Sequence, residues 1–130
     1  MDISELVAHT FVSVEGFVNG PEILFTNDEG RKYKMFHERD CCESVYVDDI
    51  VGDLEDLVGS PVLWAYESRS SSLDEQHDDP KHPETESFTW TFYRMGTIKG
   101  SVAIKFYGTS NGYYSEAVDI EEIKKGEEPN

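Results

Sequence analysis

His37, Asp40, Cys41 and Cys42 lie within six residues and are side chains of the types that bind metals or attack electrophiles. One imidazole and two thiolates make three of the four ligands that zinc usually takes in a tetrahedral site. Asp40 would be the fourth, and Glu43, or His77 and His82 from further along the chain, are alternatives. The spacing works against a simple site. Adjacent side chains on extended chain point to opposite faces, so Cys41 and Cys42 share an ion only across a turn or bulge. A plainer reading packs one cysteine in the core and the other at its edge, with His37 and Asp40 hydrogen-bonded locally. A third reading makes His37, Asp40 and Cys41 the centre of a metal- or thiol-dependent hydrolase, since a thiol beside a base can act as a nucleophile. The neighbouring carboxylates Glu38, Asp40 and Glu43 oppose formation of that thiolate. A disulfide is not expected. Bridging neighbours strains the peptide between them, and a cytosol keeps thiols reduced.

The same stretch opens a run of acids. Glu38, Asp40, Glu43, Asp48, Asp49, Asp53, Glu55 and Asp56 are opposed only by Arg39. Such a run is usually a solvated face. Here it is also a candidate partner-binding face, comprising Glu38, Glu43, Asp48, Asp49, Asp53, Glu55 and Asp56. Asp48, Asp49 and Asp53 are candidates for a divalent cation, although no Asp-x-Asp-x-Asp loop supports them. The whole chain carries 27 acids against 11 bases, a net charge of −16. That field repels nucleic acid and anionic membranes and attracts basic surfaces. The expected partner is therefore a basic protein surface, with no direct nucleic-acid contact and no membrane. No apolar run approaches the roughly 20 residues that span a bilayer. Met1-Asp2-Ile3-Ser4-Glu5 lacks the basic start of a secretory signal. The expected location is the cytoplasm.

The elements that must position these residues are mostly strands. At 130 residues the chain makes one domain with a single core, residues 1–130. Seven Phe, seven Tyr and two Trp supply large buried areas. Residues 3–9 read as one short helical turn. Phe11 to Val18 is rich in β-branched and aromatic residues and reads as a strand ended by Asn19-Gly20-Pro21. Residues 22–36 read as a hairpin around Asn27-Asp28-Glu29-Gly30. Residues 44–50 form a further strand, and residues 52–59 a short helix with Asp53 as its N-cap and Gly59 as its stop. Residues 62–67 are again a strand, with Tyr46, Trp64 and Tyr66 as candidate exposed aromatics. Residues 69–86 carry almost no apolar content and read as a mobile polar loop.

Beyond that loop, residues 87–95, 101–107 and 113–120 alternate at period two and read as a three-stranded meander. Phe88, Trp90 and Phe92 share one face, and Val102, Ile104 and Phe106 point inward. Residues 121–130 read as a charged tail. Tyr113 and Tyr114, with the bases Arg94, Lys99 and Lys105 nearby, could instead line a small-molecule pocket. The fold expected is α+β: a mainly antiparallel sheet of about seven to eight strands with one short helix.

Two blocks of sequence carry a resemblance. The first is residues 36–46 with residues 52–61; the second is residues 88–93 with residues 108–115. Together they resemble a family of small proteins of unknown function that is common in phage and prophage genomes, over about residues 10–122. The resemblance implies no activity. It implies genomic company, since small phage accessory proteins are often counter-defence factors. The function expected on this basis is an acidic, non-catalytic inhibitor of a host defence protein, most concretely an anti-CRISPR acting on a type II CRISPR nuclease. A protein that sequesters a nucleotide second messenger is the alternative beside the hydrolase.

Overall fold

The computed structural model describes residues 1–71, 87–111 and 114–124. Eight strands run in chain order: β1 Phe11–Glu15, β2 Glu22–Asn27, β3 Lys32–Phe36, β4 Ser44–Val51, β5 Trp64–Ser71, β6 Ser87–Thr97, β7 Gly100–Ser110 and β8 Asp119–Ile123. They form two four-stranded antiparallel sheets, ordered β1-β2-β3-β8 and β4-β7-β6-β5. Buried side chains from both sheets make one hydrophobic cluster, including Phe11, Phe25, Met35, Tyr93, Ile104, Phe106 and Ile120.

The expected hairpin is present. β2 and β3 alternate inward Ile23, Phe25, Tyr33 and Met35 with more exposed neighbours. Asn27 shapes their turn, its side-chain oxygen accepting from the amides of Glu29 and Arg31. Gly30 supplies the left-handed backbone there, at φ +83°.

The α+β expectation is corrected. Among the described residues the only helical pieces are 3₁₀ turns, Ile3–Leu6 and Leu54–Leu57. Each is capped by an aspartate, Asp2 or Asp53, whose side chain accepts an amide of the turn. The caps are those of a helix start, but Gly52 and Gly59 bracket the second piece at positive φ. Four residues cannot offset the cost of nucleating an α-helix.

The C-terminal meander is corrected too. Among the described residues of the expected strand 113–120, residues 114–120 do not continue the β6–β7 hairpin. The last strand begins at Asp119, crosses to the other sheet and pairs with β3, with Met35 opposite Ile120. Glu121, Glu122 and Ile123 thus belong to a strand and not to a tail. Arg31 closes that edge with a two-pronged contact to Glu122, at 2.8 and 3.2 Å. β5 likewise runs on to Ser71 and takes in the start of the polar stretch. The remainder of that stretch, residues 72–86, and residues 125–130 lie outside the described residues.

In β6 one face turns toward the core and the other outward. Thr91, Tyr93 and Met95 are the buried set, opposite Phe106, Ile104 and Val102 of β7, which point inward as expected. Trp90 and Phe92 lie on the outer face, where Lys105 sits 4.1 Å from the Trp90 ring centre and Arg94 sits 5.1 Å from that of Phe92. Cationic stems cover these rings on the solvent side. Truncation distinguishes the faces. Met95→Ala is expected to cost about 2–5 kcal/mol. Phe92→Ala is expected to cost less than about 2 kcal/mol. Urea unfolding of the two variants measures the difference, and the reverse ranking would refute this assignment.

Candidate functional site

Two connections carry the chain between the sheets near one corner: residues 37–43, joining β3 to β4, and the segment from β7 to β8. The first is built around a carboxylate. Glu43 has a fully buried side chain. Its Oε1 accepts the amides of Asp40 and Cys41 at 2.8 and 3.1 Å. Burial pushes the Glu43 carboxyl up, but the two amides and the nearby His37 outweigh it, so the group sits below its ordinary value of 4.5.

His37 joins the two connections. Its Nδ1 lies 2.6 Å from the carbonyl oxygen of Ala117. A carbonyl only accepts, so Nδ1 carries a proton. Nε2 lies 3.7 Å from Glu43 Oε1. A ring protonated on Nδ1 alone would turn a lone pair toward the carboxylate. A second proton on Nε2 makes that contact attractive.

The segment from β7 to β8 is pinned at consecutive residues. Glu116 is buried and accepts from the hydroxyls of Thr89, at 2.7 Å, and Ser110. The Ala117 carbonyl accepts from His37, and the Val118 carbonyl accepts from Arg69 and from the Tyr93 hydroxyl. Gly108 on β7 makes room for this packing: a Cβ there would stand 3.0 Å from both Glu116 Cβ and Val45 Cγ2. Two surface depressions flank His37. One of about 240 Å³ is lined by Pro21, Arg39, Glu43 and Val45, the other of about 350 Å³ by Glu38, Asp40, Ser115 and Asp119.

The residues proposed for chemistry are distributed differently from expectation. Cys41 and Cys42 are both exposed and are joined to each other as a vicinal disulfide. The expectations of one core cysteine and of no bridge are corrected. The turn over residues 40–43, folded around Glu43 Oε1, replaces the extended chain on which neighbouring side chains diverge. His37 directs its ring nitrogens to Ala117 and Glu43, whereas Asp40 is exposed. Among the described residues no group of three or more His, Cys, Asp or Glu is gathered as a metal site. His77 and His82 lie outside the described residues, as does Tyr113. Tyr114 is half-buried.

Of the acidic run, Glu38, Asp40, Asp49, Asp53 and Glu55 are exposed, and Asp48 and Asp56 half-buried. Glu43 is removed from the face, because its carboxylate is the internal acceptor of the turn. Asp48 lies 3.8 Å from Lys105. Trp64 and Tyr66 are exposed as expected, but Tyr46 is half-buried with its ring against Tyr107, centres 6.0 Å apart. The residues that sequence reasoning missed are Glu116, Gly108 and Ala117. Glu116 follows Tyr113-Tyr114-Ser115 with nothing local to mark it as buried.

Fold and corner together define a two-sheet antiparallel β protein whose sheet-to-sheet connections are locked by buried carboxylates. Residues 4–120 match the family described as Domain of unknown function (DUF7448), and the chain belongs to that family. No curated protein and no solved structure matches it. The two blocks that carry the resemblance meet at this corner, where Ser44 and Val45 pair with Thr109 and Gly108.

The Glu43 carboxyl sets a pH dependence. Its folded value is depressed, so its contribution to stability is fully present above the ordinary glutamate value and is lost as the pH falls through the folded one. Glu43→Gln should therefore melt below the parent at neutral pH, with the gap narrowing in acid. Melting temperatures between about pH 3 and 7 test this, and a gap that stays constant or widens in acid would contradict it.

Proposed function

We propose that this protein is a non-catalytic acidic inhibitor encoded by a phage or prophage. It binds a basic surface of a host defence protein in the cytoplasm of the infected or lysogenic bacterium. The most concrete target is a type II CRISPR nuclease. The observation that carries this reading is the exposure of Glu38, Asp40, Asp49, Asp53 and Glu55 within one short stretch, on a chain of net charge −16. These carboxylates steer a basic surface into encounter and discriminate against acidic ones. The phage setting rests on the resemblance of the two sequence blocks. The absence of catalysis rests on the corner itself. His37 and Glu43 are buried and turned toward each other, and an imidazole placed in this way supports a loop rather than a reacting group.

Association with a purified type II CRISPR nuclease, followed by biolayer interferometry, tests the reading. The on-rate is expected to fall at least about tenfold between low and high salt, roughly 50 and 300 mM. The combined change Glu38→Gln, Asp49→Asn and Glu55→Gln should lower it several-fold without changing the melting temperature. No association at low salt, or an on-rate indifferent to salt, would remove the proposal.

A further inference from the structure

Charge steers association and selects partners but concentrates little binding energy. Leu63, Trp64, Tyr66 and Ile98 are exposed by 60%, 39%, 51% and 83%. Trp64 and Tyr66 are two residues apart on β5 and so share a face of the strand. Their rings are stacked, with centres 5.5 Å apart and planes inclined by 26°. The indole is seated. Gly96 is opposite Trp64 in the β5–β6 register, and a Cβ on Gly96 would fall 2.6 Å from two indole atoms and 2.7 Å from a third. Only glycine lets the ring lie on the backbone of β6. Leu63 is tied to the same place through its amide, which donates to the Gly96 carbonyl at 2.8 Å. Ile98 follows two residues later in the β6–β7 turn.

The edges of this patch are charged. At the Ile98 end the 3₁₀ turn Leu54–Leu57 abuts β6 and β7. The Thr97 hydroxyl donates to the Asp56 carbonyl, and the Asp56 carboxylate lies against Gly100. The exposed acids Asp53 and Glu55 are carried on that turn. Lys99, next to Ile98, donates to the Val58 carbonyl at the end of the turn at 2.6 Å, so both signs of charge border Ile98. At the other end Arg94, opposite Tyr66, is held by the Ser68 hydroxyl at 3.1 Å and by the Phe92 ring. Apolar side chains at the centre with polar groups around them are the arrangement of a protein-binding surface. The depressions at His37 are lined by other residues. A second copy of the chain is a poor occupant, because each copy carries the same net charge of −16.

We propose that Trp64, Tyr66 and Ile98 anchor a docking surface for a protein partner that presents arginine beside apolar side chains. Arginine fits the exposed indole and phenol faces, which attract cations, and the acids of the neighbouring turn complement further bases. This proposal rests on the reading that the partner is basic and adds where the binding energy is concentrated.

Two fluorescently labelled peptides provide the test, one alternating leucine with arginine and one alternating serine with arginine. Each is titrated by anisotropy, at low salt, against the full chain and its Trp64→Ser and Ile98→Ser variants. The parent is expected to bind the leucine peptide at least about tenfold more tightly than the serine peptide. Both variants should lose most of that preference and keep the affinity for the serine peptide. Ile98→Ser, at the most exposed position, covers the case in which Trp64→Ser disturbs the fold. Equal binding of the two peptides by the parent, or a preference unchanged in both variants, overturns the anchor and leaves the basic-partner reading standing. If neither peptide binds at low salt, the basic-partner reading falls and the anchor with it. A dimer seen by light scattering and abolished by Ile98→Ser would assign the patch to a second copy, which also overturns the proposal.

Discussion

A carboxylate taken out of water must be given donors, and the corner of this protein is arranged around that requirement. Glu43 receives two amides of its own turn and faces His37, and His37 spends its other nitrogen on the Ala117 carbonyl. The result is a chain of polar contacts from one connection between the sheets to the other. The connection from β3 to β4, residues 37–43, has little apolar side chain with which to hold itself. Removing the carboxylate would leave the amides of Asp40 and Cys41 without this acceptor. Glu116 solves the same problem on the β7 side with two hydroxyls.

This division of labour explains how so acidic a chain stays folded. Several carboxylates work internally or locally. Asp2 and Asp53 cap 3₁₀ turns, Glu43 and Glu116 hold connections, and Glu122 closes an edge with Arg31. The acids left facing solvent repel one another across water, where the interaction is weakest. They make a surface charge of one dominant sign without a buried cost.

Much of the fold was legible because period-two alternation is a strong signal. The β2–β3 hairpin, β4, the inward face of β7 and the Asp53 cap follow from residue type and spacing. What alternation cannot do is say which of two faces is buried when both carry large side chains. In β6, Lys105 and Arg94 cover Trp90 and Phe92 on the outer face, while Thr91, Tyr93 and Met95 meet the core. Nor does local pattern reveal a strand's partner. β8 reads as the natural continuation of a hairpin, and its assignment to β3 depends on tertiary ties such as those at Glu116, Ala117 and Val118. The acidic stretch could be found by counting. That Glu43 is the buried member of the run could not, because its burial follows from a turn that the side chain itself organises.

The pairing of β8 with β3 joins residues far apart in the sequence: the Arg31–Glu122 contact spans 91 positions. Most of the chain, including all of the other sheet, lies inside the loop that this pairing closes. The chain entropy of such a closure has to be met before its contacts can compensate for it. The sheet of β1, β2 and β3 therefore has an open edge throughout the early stages of folding, and its completion waits on the sheet encoded between. The last strand acts as a latch. It reports in one hydrogen-bonded edge that both halves of the molecule have reached their places.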